Sequence, residues 1–157
     1  MKFNVNQNDL EQSLGYCQGV IEKRSTLPIL SNILLDANNS KLSIIATDLD
    51  LIFINEIKNV EIIEEGKTTT TASIMYDIIR KFSSGKKINF SLSSENKIQL
   101  ESEKSIFNLN CISASEFPLT DENFTGNEFK IKSKQLLKLL NKCKFAISND
   151  ETRHYLS

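Results

Sequence analysis

The residue types that commonly carry catalysis or bind metals are few and scattered in this chain. Asp48 and Asp50 stand two apart, which on a strand would put both carboxylates on one face, as in a metal site or an acid–base pair. The sequence places no third carboxylate near them, and the single histidine is His154. The three cysteines are widely spaced, with no C-x-x-C pair, at Cys17, Cys111 and Cys143. No P-loop, G-x-S-x-G or H-E-x-x-H motif is present. We therefore predict no catalytic site, no metal and no cofactor.

Basic residues are concentrated in the last part of the sequence, where they could face phosphate groups. Residues 128–157 hold seven Lys/Arg and three Asp/Glu, for a formal charge of +4, whereas residues 1–127 carry −5. Three of these lysines, Lys134, Lys138 and Lys142, are four apart and would form one stripe on a helix. A basic element on an acidic body is typical of a surface that faces nucleic acid. The alternative, which charge alone favours, is an ordinary solvated helix face.

The segment that carries these lysines resembles the start of the chain. At a shift of 126 positions the apolar residues coincide: Phe3 with Phe129, Val5 with Ile131, Leu10 with Leu136, Leu14 with Leu140, Cys17 with Cys143 and Ile21 with Ile147. Each copy predicts a short strand followed by a helix whose apolar residues recur at spacings of 4, 3 and 4. Because 126 residues is a usual domain size, the pattern indicates a repeated domain, with both cysteines in a core.

Between the two copies the pattern is mostly that of strands. We predict strands over residues 31–38, 41–47, 68–72, 87–92, 97–101 and 105–112, and one long or bent strand over 51–63. A second helix is expected over 73–82, with Ser73 as its N-cap and Ile74, Ile78 and Phe82 on its apolar stripe. Two amphipathic helices must bury their stripes on a sheet, so the sequence predicts an α+β fold with the helices packed on antiparallel strands.

The domain boundaries follow from the repeat. Residues 116–127 are polar and contain Pro118 and Gly126, which is typical of a connection. We predict a first domain over residues 1–117, a linker over 118–127, and the incomplete start of a second domain over 128–157. The N-terminus lacks a signal-peptide h-region, and no apolar run approaches the ~20 residues that span a bilayer. With an odd number of cysteines, the simplest setting is the cytoplasm.

Four short motifs, together with the opening Met-Lys-Phe, carry a family resemblance. They are Arg-Ser-Thr-Leu-Pro-Ile-Leu-Ser-Asn at 24–32, Thr-Asp-Leu at 47–49, Glu-Phe-Pro at 116–118 and Arg-His-Tyr-Leu at 153–156. In type, order and spacing they resemble the beta subunit of bacterial DNA polymerase III, the replicative sliding clamp, over the whole chain. The resemblance implies three domains of like fold in each protomer, and a head-to-tail homodimer whose ring encircles duplex DNA. It implies a non-catalytic processivity subunit that binds DNA polymerase III and the clamp loader.

The resemblance also assigns expected roles to individual residues. Arg24 stands where clamps contact duplex phosphates, and the Lys134, Lys138 and Lys142 stripe would face the hole. A second DNA-contact patch is expected at Arg153, His154 and Tyr155, although the family often has an aromatic residue where His154 stands. Ser73 stands where many clamps carry Arg, so a third contact is expected to be absent. Phe107 and Leu109 lie on the strand that forms the family's dimer interface, and core packing is the alternative for both.

The span of the resemblance limits what we expect of these 157 residues. They correspond to the first domain and roughly the first quarter of the second, so we expect that they do not close a ring by themselves. The family's main pocket for polymerase and loader peptides is built largely from the third domain and is expected to be absent. An alternative from another class is a stand-alone interaction module whose edge strands pair with protein partners and which has no role on DNA.

Overall fold

The computed structural model describes residues 1–21, 27–93, 96–118 and 129–147. The chain divides into two compact units, Met1–Thr120 and Asp121–Ser157. The described strands of the first unit are β1 (Lys2–Asn6), β2 (Asn32–Asn38), β3 (Lys41–Thr47), β4 (Ile52–Ile57), β5 (Val60–Glu64), β6 (Gly66–Thr71), β7 (Lys87–Leu92), β8 (Lys97–Ser102) and β9 (Ser105–Ile112). Its helices are α1 (Gln7–Cys17) and α2 (Ala72–Ile79), and short 3-10 turns cover Pro28–Ser31 and Ala114–Glu116.

The strands form one antiparallel sheet in the order β4-β3-β2-β6-β9-β8-β7-β1-β5. Each helix is followed by a three-strand meander, β2-β3-β4 after α1 and β7-β8-β9 after α2. The strand that precedes each helix pairs with the opposite meander: β1 pairs with β7, and β6 pairs with β2. Apart from β5, the unit is therefore two β-α-β-β-β halves that have exchanged their first strands. The exchange ties the halves together, because β1 and β6 each pair along their length with the other half, whereas β6 and β9 of the second half share only two residue pairs.

The main core lies between the two helices and the inner face of this sheet. α1 buries Leu10, Leu14 and Cys17, and α2 buries Ala72, Met75 and Ile79. On the strands, the ring of Phe3 stacks on that of Phe90 with 4.7 Å between centroids. Burying a large apolar side chain contributes about 1.5–3 kcal/mol, so these stripes hold the helices on the sheet. The predicted α+β arrangement is confirmed.

The predicted hairpin between the second and third strands also forms. Asn38 pairs with Lys41 across a two-residue loop. Both loop residues have positive φ, 50° at Asn39 and 60° at Ser40, as a type I′ turn requires. Asparagine tolerates this conformation better than most residues, which is why the local sequence predicts the turn.

The single strand predicted over residues 51–63 is wrong. The strand is interrupted at Lys58 and Asn59. The two resulting strands lie at opposite ends of the sheet, where β4 pairs with β3 and β5 pairs with β1. Alternation of apolar residues continues through the break. Since a period of two reports which face is buried and not which strand is the partner, the pattern could not show the crossing.

The second helix covers Ala72–Ile79 instead of residues 73–82, and of its predicted stripe Ile78 and Phe82 pack in the main core but Ile74 does not. Thr71 is the N-cap residue, without a side-chain cap bond, so Ser73 is not the cap. The predicted stripe residue Ile74 is 50% exposed, while Met75 and Ile79 are fully buried. Both sets of residues are four apart, so spacing alone could not distinguish them. The β6 ladder extends to Thr71, which pairs with Asn32, and this fixes the helix start.

In the second unit the described residues contain one α-helix, α3 (Ser133–Cys143), followed by a 3-10 turn at Lys144–Ala146. The strand predicted before this helix is not formed, and residues 129–132 have no ladder partner. The prediction that Cys143 is buried is also wrong, because its side chain is exposed. Residues 129–147 include no strand against which an apolar stripe could pack. None of the described helices is long and apolar enough to cross a membrane.

Candidate nucleic-acid interface

The same helix occurs twice, once in each unit. α1 and α3 are each 11 residues long, and both ends of α3 lie 126 positions after those of α1. The residue before each helix is extended, with φ and ψ of −73° and 137° at Asn6 and of −69° and 132° at Lys132. The residue after each helix is helical, at Gln18 and Lys144. The repeat in the sequence is therefore a repeat of local backbone structure.

The lysine stripe of α3 forms as the spacing predicts. Lys134, Lys138 and Lys142 follow one side of the helix and are exposed, and none of them is paired with a described acidic residue. With a rise of about 1.5 Å per residue, the stripe is about 12 Å long, close to the width of a DNA major groove. Residues 129–147 contain no acid and six lysines: Lys130, Lys132, Lys134, Lys138, Lys142 and Lys144. This surface can attract phosphates without reading bases.

The equivalent face of α1 is polar but uncharged. The residues 126 positions before the three lysines are Asn8, Gln12 and Tyr16, all exposed. The side-chain amide of Gln12 donates to the Tyr16 hydroxyl at 2.9 Å, and the Tyr16 ring packs against Phe53 with 6.2 Å between centroids. The charged residues of α1 are both acidic, at Asp9 and Glu11. This face offers hydrogen bonds but little attraction for phosphate.

The second helix lies beside α1 and brings a basic residue that the sequence analysis missed. The Gln7 amide donates to the Ile79 carbonyl at 3.0 Å and to Glu11 at 2.8 Å, which joins the two helices. The guanidinium of Arg80 lies 5.4 Å from the centre of the Tyr76 ring, within cation–π range. The spacing of four between Tyr76 and Arg80 at the helix end could have indicated this pair.

The carboxylate of Asp48 shapes a turn. Its Oδ1 accepts hydrogen bonds from the backbone amides of Asp50, at 3.1 Å, and Leu51, at 2.7 Å. The Thr47 hydroxyl accepts from the amide of Leu49, whose φ of 84° is rare for a residue with a side chain. The Thr-Asp-Leu motif therefore builds a tight loop between β3 and β4. Within the described residues, no group of three or more His, Cys, Asp or Glu could hold a metal ion.

Residues from two of the sequence motifs meet on the outer face of the sheet, together with a residue that follows a third motif. Leu34, Ile45 and Phe117 form a second apolar cluster, and Ile29, Ile52 and Ala114 pack against it. Ile29 comes from the Leu-Pro-Ile run, Phe117 from the Glu-Phe-Pro motif, and Ile52 follows the Thr-Asp-Leu loop. We call these six residues the outer cluster. Sequence spacing does not predict the outer cluster, because its segments are far apart along the chain.

The candidate dimer residues occupy different environments on β9. Leu109 is 9% exposed and belongs to the main core, whereas Phe107 is 36% exposed, with its ring edge-on to Phe82 at 5.6 Å. β9 pairs with β8 along Ser105–Asn110, but with β6 only at Cys111 and Ile112. The other edge of β9 is therefore unpaired over most of its length among the described strands.

Four predicted DNA contacts, Arg24, Arg153, His154 and Tyr155, lie outside the described residues.

The described cysteine thiols of the first unit are poor nucleophiles. Burial raises the pKa of Cys17 to about 12 and also raises the pKa of Cys111. Since the thiolate is the reactive form, neither is activated at neutral pH.

Comparison with known proteins gives one consistent result. Residues 1–121 match the family described as DNA polymerase III beta subunit, N-terminal domain. The whole chain is 37% identical to the beta sliding clamp of Caulobacter vibrioides and 31% identical to that of Escherichia coli. It spans only 42% and 43% of the length of these relatives.

Solved structures agree with these sequence relatives. A Caulobacter crescentus polymerase III beta structure aligns with 99% of the chain at a TM-score of 0.91 and 37% identity, with 42% of that structure covered. The beta chain from Streptococcus pneumoniae aligns with 98% at a TM-score of 0.88 and 25% identity, again with 42% covered. The fold inferred from the repeat and the motifs is thus found in proteins that share as little as a quarter of the residues.

Proposed function

This chain belongs to the DNA polymerase III beta subunit family, and we propose that it supplies the first domain and the start of the second domain of a sliding clamp that encircles duplex DNA. The observation that carries the proposal is the helix α3, which has the same bounds as α1 after a shift of 126 residues. A repeated domain is what a ring of like domains requires, because each copy presents its helices in the same way.

The charge distribution supports a clamp more than a tight DNA-binding protein. A processivity factor must stay on DNA and yet move along it. Each phosphate that a protein neutralises changes the salt dependence of binding by about 0.9 in log–log slope, so many close contacts would oppose movement. A closed ring retains the DNA by topology, and a few lysines on α3 supply weak, sequence-independent attraction, to which the uncharged face of α1 adds little. No catalytic group is needed for this, and we propose a non-catalytic subunit that acts in the cytoplasm.

Specific residues take specific roles in this proposal. The lysines at 134, 138 and 142 attract the duplex, Arg24 contacts its phosphates, and Arg153, His154 and Tyr155 form a second contact patch. The free edge of β9, with Phe107 at its margin, is the proposed contact with a second protomer. DNA polymerase III and the clamp loader are the proposed protein partners of the complete ring. The described residues contain one domain and one further α-helix, and we propose that residues 1–157 do not enclose DNA on their own.

The test joins residues 1–157 to the remainder of the Caulobacter vibrioides clamp, replacing the matching part of that relative. The chimera is loaded by the Caulobacter clamp loader onto a nicked circular plasmid, and retention is measured by gel filtration before and after the plasmid is cut once. We expect co-elution with the circle and release from the linear DNA, because only a closed ring is held by topology. The 157-residue chain alone is the control, and we expect no retention.

Two outcomes would contradict the proposal in different ways. Equal retention on circular and linear DNA would show binding by contact instead of encirclement. A folded chimera that is retained on neither DNA at any salt concentration would favour the stand-alone interaction module, for which the unpaired edge of β9 is the supporting observation.

A further inference from the structure

The outer cluster lies on the side of the sheet that faces away from both helices. Leu34 and Ile45 are paired neighbours on β2 and β3. The residues next to them, Ile33 and Ile44, point into the main core. Successive side chains of a strand point to opposite faces, so Leu34 and Ile45 need a separate cover. Phe117 provides that cover, and only 5% of its surface is exposed.

The cluster joins segments whose shape is otherwise set locally. The Pro28–Ser31 turn is closed by the amide of Leu30 donating to the Leu27 carbonyl at 3.1 Å. The Ala114–Glu116 turn is closed by the amides of Glu116 and Phe117, which donate to the carbonyls of Ser113, at 3.1 Å, and Ala114, at 3.2 Å. Both turns then place one large side chain on the same patch of sheet, Ile29 from the first and Phe117 from the second.

We infer that Phe117 is a positioning residue that fastens the Ala114–Pro118 segment to the Pro28–Ser31 turn through the outer cluster. The segments on either side of this attachment lead to the proposed DNA contacts. Arg24 stands five residues before Ile29, and the connection to α3 begins after Pro118. The outer cluster therefore holds both Ile29, which follows the proposed contact Arg24, and Phe117, which precedes the connection to the proposed contacts on and after α3.

Two features make Phe117 suited to this role. An aromatic side chain buries a large area with few rotatable bonds, so it fixes a turn at low entropic cost. Pro118 restricts the residue before it to extended backbone, and Phe117 has φ and ψ of −76° and 127°. The ring and the exit direction of the chain are thus set together. With three buried members, the cluster has little else with which to fill the space if the ring is removed.

The inference is tested by hydrogen exchange on the full 157-residue chain with Phe117→Ala. The reporters are the amides of Leu30 and Asn32, which bond to the carbonyls of Leu27 and Ile29 in the other turn. We expect their exchange to accelerate at least about tenfold, whereas amides in the middle of α1 keep their wild-type rates. Phe117→Leu retains an apolar side chain of similar reach and should restore most of the protection.

Phe82→Ala is the matched control, because Phe82 is 8% exposed and belongs to the main core. We expect this variant to raise exchange across the core without a selective effect at Leu30 and Asn32. Equal acceleration of the two reporters in both alanine variants would mean that Phe117 contributes only general stability. Wild-type rates at Leu30 and Asn32 in Phe117→Ala would show that the two turns are not fastened together. If Phe117→Ala does not fold, the same comparison is made with Phe117→Val, whose side chain is too short to fill the space of the ring. A selective acceleration at Leu30 and Asn32 is expected in that variant, and its absence would contradict the inference.

Discussion

α1 and α3 have the same backbone and nearly opposite surroundings. Leu10, Leu14 and Cys17 of α1 are fully buried. At the equivalent positions of α3, Leu136 is 43% and Leu140 59% exposed, and Cys143 is exposed as well. Both helices begin and end at equivalent residues, although only the stripe of α1 is buried. Local sequence sets where the helix lies along the chain, and the sheet decides whether its apolar side is covered.

The outward faces differ in another way. At equivalent positions α1 carries an asparagine, a glutamine and a tyrosine, and α3 carries three lysines. The apolar stripe is constrained by the fold that the repeat preserves, whereas the outward face is free to vary. The charge of the two helices differs at exposed positions, which the fold does not constrain. We therefore expect the two helices to differ in their attraction for phosphate groups.

The largest expected difference between the helices is in the effect of a core deletion. Leu14→Ala should lower the free energy of unfolding by about 2–5 kcal/mol, because it leaves a cavity under a fully buried side chain. Leu140→Ala at the equivalent position of α3 should change it by no more than about 0.5 kcal/mol. Urea unfolding followed by circular dichroism measures both. A similar loss in the two variants would show that the stripe of α3 is covered in solution.

Cys17, which lies on the buried stripe of α1, should couple stability to pH. The Cys17 thiol has a pKa of about 12 in the folded chain against an ordinary value of 9.0. Above pH 9 the unfolded chain therefore releases a proton that the folded chain keeps, which favours unfolding. The stability that the protonated thiol contributes is fully present below pH 9 and is lost as the pH rises towards 12. At pH 11 the free energy of unfolding should be lower by roughly 2–3 kcal/mol for this reason.

Comparison of wild type with Cys17→Ala isolates this contribution from every other change that pH causes in the chain. The free energy of unfolding, measured in urea from pH 8 to pH 11, should fall more steeply in wild type than in Cys17→Ala. The control is Leu10→Val, a core change that removes no ionisable group, and its curve should run parallel to that of wild type. Parallel curves for all three proteins would contradict burial as the source of the shift.

A smaller difference is expected at the helix starts. The side chain of Asn6 accepts a hydrogen bond from the Asn8 amide at 2.9 Å, whereas Lys132 provides no such cap for α3. Asn6→Ala should lower the free energy of unfolding by about 1 kcal/mol, and Asn6→Asp, which keeps the hydrogen-bond acceptor, should lower it much less. Lys132→Ala should have almost no effect. Thermal unfolding of the three variants separates these outcomes, and an equal loss for Asn6→Asp and Asn6→Ala would rule out capping as the cause.

The features that the sequence predicts correctly are those encoded within about twenty residues. The strand–helix start, the Asn39-Ser40 hairpin and the lysine stripe depend on spacing or on turn chemistry that neighbouring residues carry. The failures need partners that spacing does not identify. The break at Lys58 and Asn59 reflects a change of partner strand, and in α2 the Ile74 stripe and the Met75 stripe have the same period.

The candidate site shows the same limit. The charged face of α3 could be predicted because a helix brings residues four apart together. The outer cluster could not, since Ile29 and Phe117 are nearly ninety positions apart and meet only when the sheet has formed. The sequence shows their two motifs only as features of a family, whereas the fold shows that Ile29 and Phe117 belong to the same apolar cluster.

The smallest expected effect comes from exchanging one outward residue between the helices. Gln12 of α1 and Lys138 of α3 are 126 positions apart, and both are exposed. Lys138→Gln should weaken binding to a short linear duplex and reduce the log–log salt slope by about 0.9, the value for one lost phosphate contact. Binding is measured by fluorescence anisotropy from low to moderate salt. Because neither position lies in a core, folding should be unchanged, and circular dichroism checks this.

Gln12→Lys is the reciprocal change and distinguishes two explanations of the neutral α1 face. If α1 faces DNA and only lacks charge, this variant gains about 0.9 in salt slope. If α1 does not approach DNA, the slope stays at the wild-type value although the net charge has risen by one. Lys41→Gln is the control for net charge, since Lys41 lies on β3, where it pairs with Glu56. An equal fall in slope for Lys41→Gln and Lys138→Gln would show that overall charge and not the α3 face governs binding, and the unequal roles of the two helices would have to be abandoned.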